Sequence, residues 1–109
     1  MEILEVTTQD SGGQVTISLK GELDLSSVGK VEEELERVEA TGTSLLILDL
    51  SQLSFLDSSG LHLLVRMRRD ADQEGWTLEM TRPVGEASRV IEVTRMARVL
   101  RLSEPGGGL

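Results

Sequence analysis

The run Leu45-Leu46-Ile47-Leu48, continued by Asp49-Leu50, constrains the fold of this chain more than any other stretch. Unbroken aliphatic residues without polar alternation describe a strand covered on both faces, as in sheets built through helical crossovers. Residues 43–50 are therefore predicted to form a buried strand. A helical pattern opens soon afterwards, at Ser58 or Ser59, and runs to about residue 72, before Gly75. The joint, residues 49–60, reads Asp-Leu-Ser-Gln-Leu-Ser-Phe-Leu-Asp-Ser-Ser-Gly. It carries two adjacent hydroxyls with Asp57 before them and Gly60 after. A hydroxyl at a helix start is ordinarily a cap. Two of them on a loop that leaves a central strand also offer a place where charge can be added or removed.

The flanking segments say what the strand pairs with. Residues 3–8 and 15–20 alternate and are rich in β-branched side chains, and Gln9-Asp10-Ser11-Gly12-Gly13 between them is a turn by composition, so a hairpin is predicted. Gly21-Glu22-Leu23-Asp24 then leaves the second strand, and Ser26 or Ser27 offers an N-cap. Val28, Val31, Leu35 and Val38 fall at helical spacing, with Gly42 as the stop. On its outer face Glu33 and Arg37 stand at i,i+4, a pair worth ~0.3–0.5 kcal/mol. Residues 76–81 read as another strand, broken by Arg82-Pro83. Val84, Ala87, Val90 and Ile91 mark a third helix, and residues 96–102 a short last element. The expected fold is α/β: a single domain over residues 1–102, with a mixed sheet of about four to five strands covered mainly by helices. Residues 103–109, Ser-Glu-Pro-Gly-Gly-Gly-Leu, are expected to be a disordered tail. Right-handed crossovers would bring residues 21–27 and 53–60 to one sheet edge.

Composition narrows the function. The chain has 109 residues, 11 basic against 19 acidic, and a net charge of −8, which repels phosphate backbones and argues against nucleic acid as a partner. It has no cysteine, so disulfides and thiolate metal sites are excluded. With one Phe, one Trp and no Tyr, the core must be built from Leu, Val and Ile. No apolar run is long enough to span a membrane, and Met1-Glu2-Ile3-Leu4-Glu5 has no basic start. A cytoplasmic protein with no membrane partner is expected. A serine hydrolase would want a Gly-x-Ser-x-Gly elbow and a convergent base. The stretch before Gly60 lacks the first glycine, and His62 lies on the same helix as Ser58. An aspartyl-phosphate receiver would need an acidic Mg²⁺ cluster near its start, where residues 1–20 offer only Glu2, Glu5 and Asp10.

Gly21-Glu22-Leu23-Asp24 after the second strand, Leu48-Asp49-Leu50-Ser51 at the end of the third, and Asp57-Ser58-Ser59-Gly60-Leu61 opening a helix together resemble the STAS domain. More narrowly, the chain is similar to bacterial anti-sigma factor antagonists, over roughly residues 3–102. The resemblance implies a partner switch. The unphosphorylated antagonist binds an anti-sigma factor that is also a serine kinase, which frees the sigma factor. Phosphorylation from the kinase's ATP ends binding, and a serine phosphatase resets the protein. By the family's motif the phosphorylated residue is the first serine after the aspartate, Ser58. The family places partner contacts around Glu22, Asp24, Asp57, Ser58, Ser59, Gly60 and His62. The resemblance implies no catalytic residue, cofactor or metal in the chain itself. The alternative is a STAS accessory or scaffold subunit of a lipid or anion transport complex or of a stressosome-like assembly, where the same loop serves docking.

Each of these residues also has a plainer reading. Ser58, Ser59 or Asp57 can cap the helix, and Glu22 and Asp24 can simply punctuate a turn. Gly60 permits close packing or partner approach, since a glycine early in a helix otherwise costs ~1 kcal/mol. His62, where the family more often has Gly, falls at i+4 from Ser58, followed by Arg66 and Arg69. This stripe is a solvated face opposite Leu61, Leu64 and Val65, or a partner for phosphate or an acidic surface. Arg95 stands where the family often has Gly closing the third helix.

Overall fold

The computed structural model describes residues 3–103. β1 (Glu5–Asp10) and β2 (Gln14–Leu23) form the predicted hairpin, antiparallel from Glu5 opposite Lys20 to Asp10 opposite Val15. The chain continues through α1 (Val28–Glu39), β3 (Leu45–Leu56), α2 (Ser58–Glu74), β4 (Thr77–Met80), α3 (Gly85–Val93) and α4 (Ala97–Leu100). The four strands lie in the order β1-β2-β3-β4, and the two later pairings are parallel. Sheet order thus advances in one direction through two crossovers. Crossovers of the usual right hand then put α1 and α2 on the same face. The two helices touch there, and bury Val31, Leu35 and Val38 from α1 and Leu63, Leu64, Met67 and Ala71 from α2.

One consequence corrects the expectation for the central run. Leu46, Leu48 and Leu50 are buried beside Val15 and Ile17 on β2 and Leu78 and Met80 on β4, but Leu45 and Ile47 are only half-buried. The opposite face carries Thr16, Ser18, Ile47, Asp49 and Glu79 and has no helix of its own crossover to cover it. The strand also runs six residues further than the predicted 43–50, because its buried positions change spacing: 46, 48 and 50 are followed by 53 and 56. Pairing with β2 skips one residue of β3 between Asp49 and Gln52 and another between Leu53 and Phe55. Each skip is a bulge that turns the next leucine back into the core. Period-two reading stops where the first bulge begins. The second strand likewise continues through Gly21, Glu22 and Leu23, so those residues belong to the sheet and not to the loop.

The bulged ends bring Leu23 opposite Leu56 as the last pair of β2 and β3. Two glycines make this possible. Gly21 has φ +116°, and a Cβ there would lie 2.4 Å from the Ile3 carbonyl oxygen, so only glycine lets the incoming chain cross. Gly60, buried in the first turn of α2, would place a Cβ 2.5 Å from the Leu23 carbonyl oxygen and 2.6 Å from Leu56 Cδ1. Its close-packing reading is therefore the one observed.

Elsewhere the structure revises local details. Arg37 pairs with Glu34, not Glu33, through Nε at 3.1 Å and Nη2 at 2.6 Å. Glu34 faces the sheet and also accepts from the Thr8 hydroxyl, tying α1 to β1. Arg68, on the buried side of α2, donates to the carbonyls of Leu78 (2.8 Å) and Leu100 (3.0 Å), so one guanidinium pins β4 and the end of α4. α3 ends at Val93, and Arg95 takes φ +60° just beyond it, in the left-handed region that Gly occupies without strain. Ser103 pairs with Thr81 at the margin of the sheet. The remainder of the expected tail lies outside the described residues.

Two outcomes follow from this packing. Gly60→Ala should destabilise the fold by about 2–3 kcal/mol in urea unfolding, because the obstructing atoms are backbone and core side chain; a loss under ~0.5 kcal/mol, the ordinary surface value, would contradict the close approach. Hydrogen bonds from Arg37, then Thr8, lower the Glu34 carboxyl from 4.5 to about 2. A depressed folded pKa means the stabilisation is complete above pH 4.5 and is lost as pH falls through about 2. Glu34→Gln should cost ~1 kcal/mol at pH 7, screening by solvent included, with the difference from the parent shrinking toward pH 2; a difference independent of pH would contradict it.

Candidate functional site

Everything at the joint is built outward from the Leu23–Leu56 pair. Asp57 follows Leu56 in extended conformation (φ −103°, ψ −174°), and its amide donates to the Leu23 carbonyl at 3.2 Å. Its side chain then works in two directions. Oδ1 accepts from the Gly60 amide at 2.9 Å, which caps α2, and Oδ2 accepts from the Leu25 amide at 3.2 Å, which ties down the β2–α1 turn. The capping question is thereby answered: Asp57 is the N-cap, and neither serine fills that role. Ser58 is the first helical residue, exposed, and among the described residues its hydroxyl has no hydrogen-bond partner. Ser59 beside it is half-buried.

The facing turn is held mostly by itself. Asp24 Oδ1 accepts from the Ser26 amide (3.0 Å) and the Ser26 hydroxyl (2.7 Å), and the Ser26 hydroxyl above all keeps the Asp24 carboxyl below its usual pKa. Ser27 sits at the N-cap position of α1 but makes no cap bond. Its hydroxyl accepts from the Asp24 amide at 2.9 Å and donates to the Glu22 carbonyl at 2.9 Å. The predicted cap therefore serves the turn, a common use of short polar side chains. Glu22 and Asp24 line a shallow depression of about 230 Å³ together with Lys30, whose ammonium donates to the Leu4 carbonyl at 2.8 Å.

The predicted residues thus divide into two groups. Asp57 joins the two turns through its bond from the Leu25 amide, with Asp24, Ser58 and Ser59 on the turns so joined and Gly60 buried beneath them against Leu23 and Leu56. Glu22 lies half-buried beside them, its Cα opposite Phe55. His62 is one helical turn along α2 from Ser58, exposed, and its side chain has no hydrogen bond or ion pair among the described residues. Arg66 does not share that freedom, since it pairs with Glu32 on α1.

Sequence reading passed over two apolar side chains here. Leu25, in the turn held by Asp57, is 76% exposed, and Phe55, the only phenylalanine, is 39% exposed. A leucine inside a run of turn-forming Asp and Ser residues was the available signal. Chemically, the surface offers an unbonded hydroxyl, two exposed apolar groups and nearby carboxylates. Among the described residues no base is hydrogen-bonded to Ser58, the arrangement that activates a serine nucleophile. Among the described residues no group of three or more His, Asp or Glu side chains is arranged to hold a metal ion, and no helix is long and apolar enough to cross a membrane.

Known proteins share both the sequence and this arrangement of elements. The STAS domain family matches residues 5–105. The anti-sigma-B factor antagonist of Staphylococcus aureus is 30% identical over 101 residues, 93% of this chain and 92% of that protein. The crystal structure of an anti-sigma factor antagonist from Mycobacterium paratuberculosis superposes with a TM-score of 0.77 at 26% identity, covering 92% of this chain and 85% of that one. The unphosphorylated form of the antagonist SpoIIAA shares the fold with a TM-score of 0.74 at 19% identity, over 93% and 88% of the two chains. The chain belongs to the STAS domain family, and the similar proteins named above are anti-sigma factor antagonists.

Proposed function

We propose that this protein is an anti-sigma factor antagonist controlled at Ser58. In its unmodified state it binds an anti-sigma factor with serine-kinase activity and so releases the sigma factor; phosphorylated at Ser58, it lets go. A single observation carries the reading. Asp57 occupies the cap, so the Ser58 hydroxyl stands exposed at the start of α2, with no hydrogen bond among the described residues.

The physics of such a switch needs no rearrangement. A phosphoryl group adds about −1.5 to −2 charge. The first-turn amides of α2 carry partial positive charge and tolerate it, so the fold persists. A partner seated on Leu25, Phe55 and Ser58 would instead have to bury a dianion, which costs several kcal/mol. At 1.4 kcal/mol per tenfold in affinity, that suffices to end a micromolar complex. The two exposed apolar side chains supply the anchors that such an interface needs at its centre. In this reading the chain is a substrate of kinase and phosphatase and not itself an enzyme; ATP belongs to the kinase.

Incubation with an anti-sigma factor kinase from the same organism and ATP should add one phosphate, located at Ser58 by peptide mass spectrometry, and Ser58→Ala should abolish it. Modification at Ser59, or none with any such kinase, would overturn the proposal.

A further inference from the structure

Phosphorylated Ser58 would stand in an acidic neighbourhood. The chain carries a net charge of −8, Asp57 precedes the serine directly, and Asp24 lies in the turn bonded to Asp57 through Leu25. The basic groups near α2 are mostly occupied. Arg66 pairs with Glu32, Lys30 is bound to the Leu4 carbonyl, and Arg68 is buried against two carbonyls. Arg69 lies eleven residues beyond Ser58 along α2, about 16 Å at the helical rise. His62 differs from all of these. It is exposed, has no partner among the described residues, and stands four positions after Ser58 on the same continuous helix.

That spacing has a defined geometry. Side chains at i and i+4 are neighbours on a helix, and a helical side chain leans toward the turn on its N-terminal side, so His62 covers the turn that begins at Ser58. An acid placed N-terminal to a base at i,i+4 is the favourable order, in keeping with the helix dipole.

We infer that His62 holds the phosphoryl group of phosphorylated Ser58, as a cationic partner in the modified state. The inference rests on Ser58 being the modified residue. It gives a role to a residue whose side chain makes no hydrogen bond or ion pair among the described residues of the unmodified protein.

Phosphoserine installed at position 58 during translation tests this without any kinase, so a failure here is separable from a failure of the kinase assay. The probe is the full chain, and the readout is the ³¹P chemical shift as a function of pH. An ordinary phosphoserine loses its last proton near pH 6. The midpoint should lie lower by about 0.15–0.4 in the parent than in His62→Gln. His62→Lys should restore the lowered midpoint, and 0.5 M salt should reduce the difference, since the pair is exposed. Equal midpoints in the parent and His62→Gln would overturn the inference, as would a His62→Lys variant that behaves like His62→Gln.

Discussion

The joint depends on one contact, the fit of the first turn of α2 against the backbone of Leu23. The Leu23 carbonyl accepts the Asp57 amide and lies where a Cβ on Gly60 would stand. Leu23 is held there by its pairing with Leu56, which two bulges in β3 bring into register. From this contact the rest follows in order. Because α2 starts so close to the sheet, Asp57 reaches its own helix and the opposite turn with one carboxylate. Because Asp57 takes the cap, the next hydroxyl is left facing solvent.

On the proposed reading, this arrangement separates the packed platform from the residue that is modified. Gly60, Leu23 and Leu56 are buried, so the platform belongs to the hydrophobic core and does not yield to a charge added at the surface. The unmodified Ser58 hydroxyl projects from that platform and makes no hydrogen bond among the described residues. In the proposed switch, a phosphate added there would change what a partner meets and leave the protein's own packing alone. The neighbouring turn makes the same separation: its Asp24 and Ser27 bonds are internal, while Leu25 is turned out to solvent.

Much of this was legible from residue order because local patterns and tertiary packing agree. The hairpin, α1, α2 and its stop before Gly75 came from period and turn chemistry, and their bounds moved by only a few residues. Two things were not legible. Burial on both faces of the 45–48 run failed, because the direction in which the sheet grows leaves one face without a crossover helix, and no local pattern encodes that. The end of β3 was missed since bulges replace alternation with threefold spacing at Leu50, Leu53 and Leu56. At the site, Asp57, Ser58 and Gly60 stood out in the sequence, but the choice of cap among Asp57, Ser58 and Ser59 needed coordinates. Leu25 escaped because a single apolar residue in a polar turn has no periodicity to reveal it.

The central claim is that Ser58 modifies an interface and not a fold. The most direct test compares the protein carrying serine with the same protein carrying phosphoserine at position 58, measuring affinity for its anti-sigma factor and amide hydrogen exchange along the whole chain. The account predicts an affinity loss of at least ~100-fold, about 2.7 kcal/mol, with exchange in β2, β3 and the buried turns of α2 unchanged. Retained affinity, or exchange accelerated throughout those core elements, would contradict it.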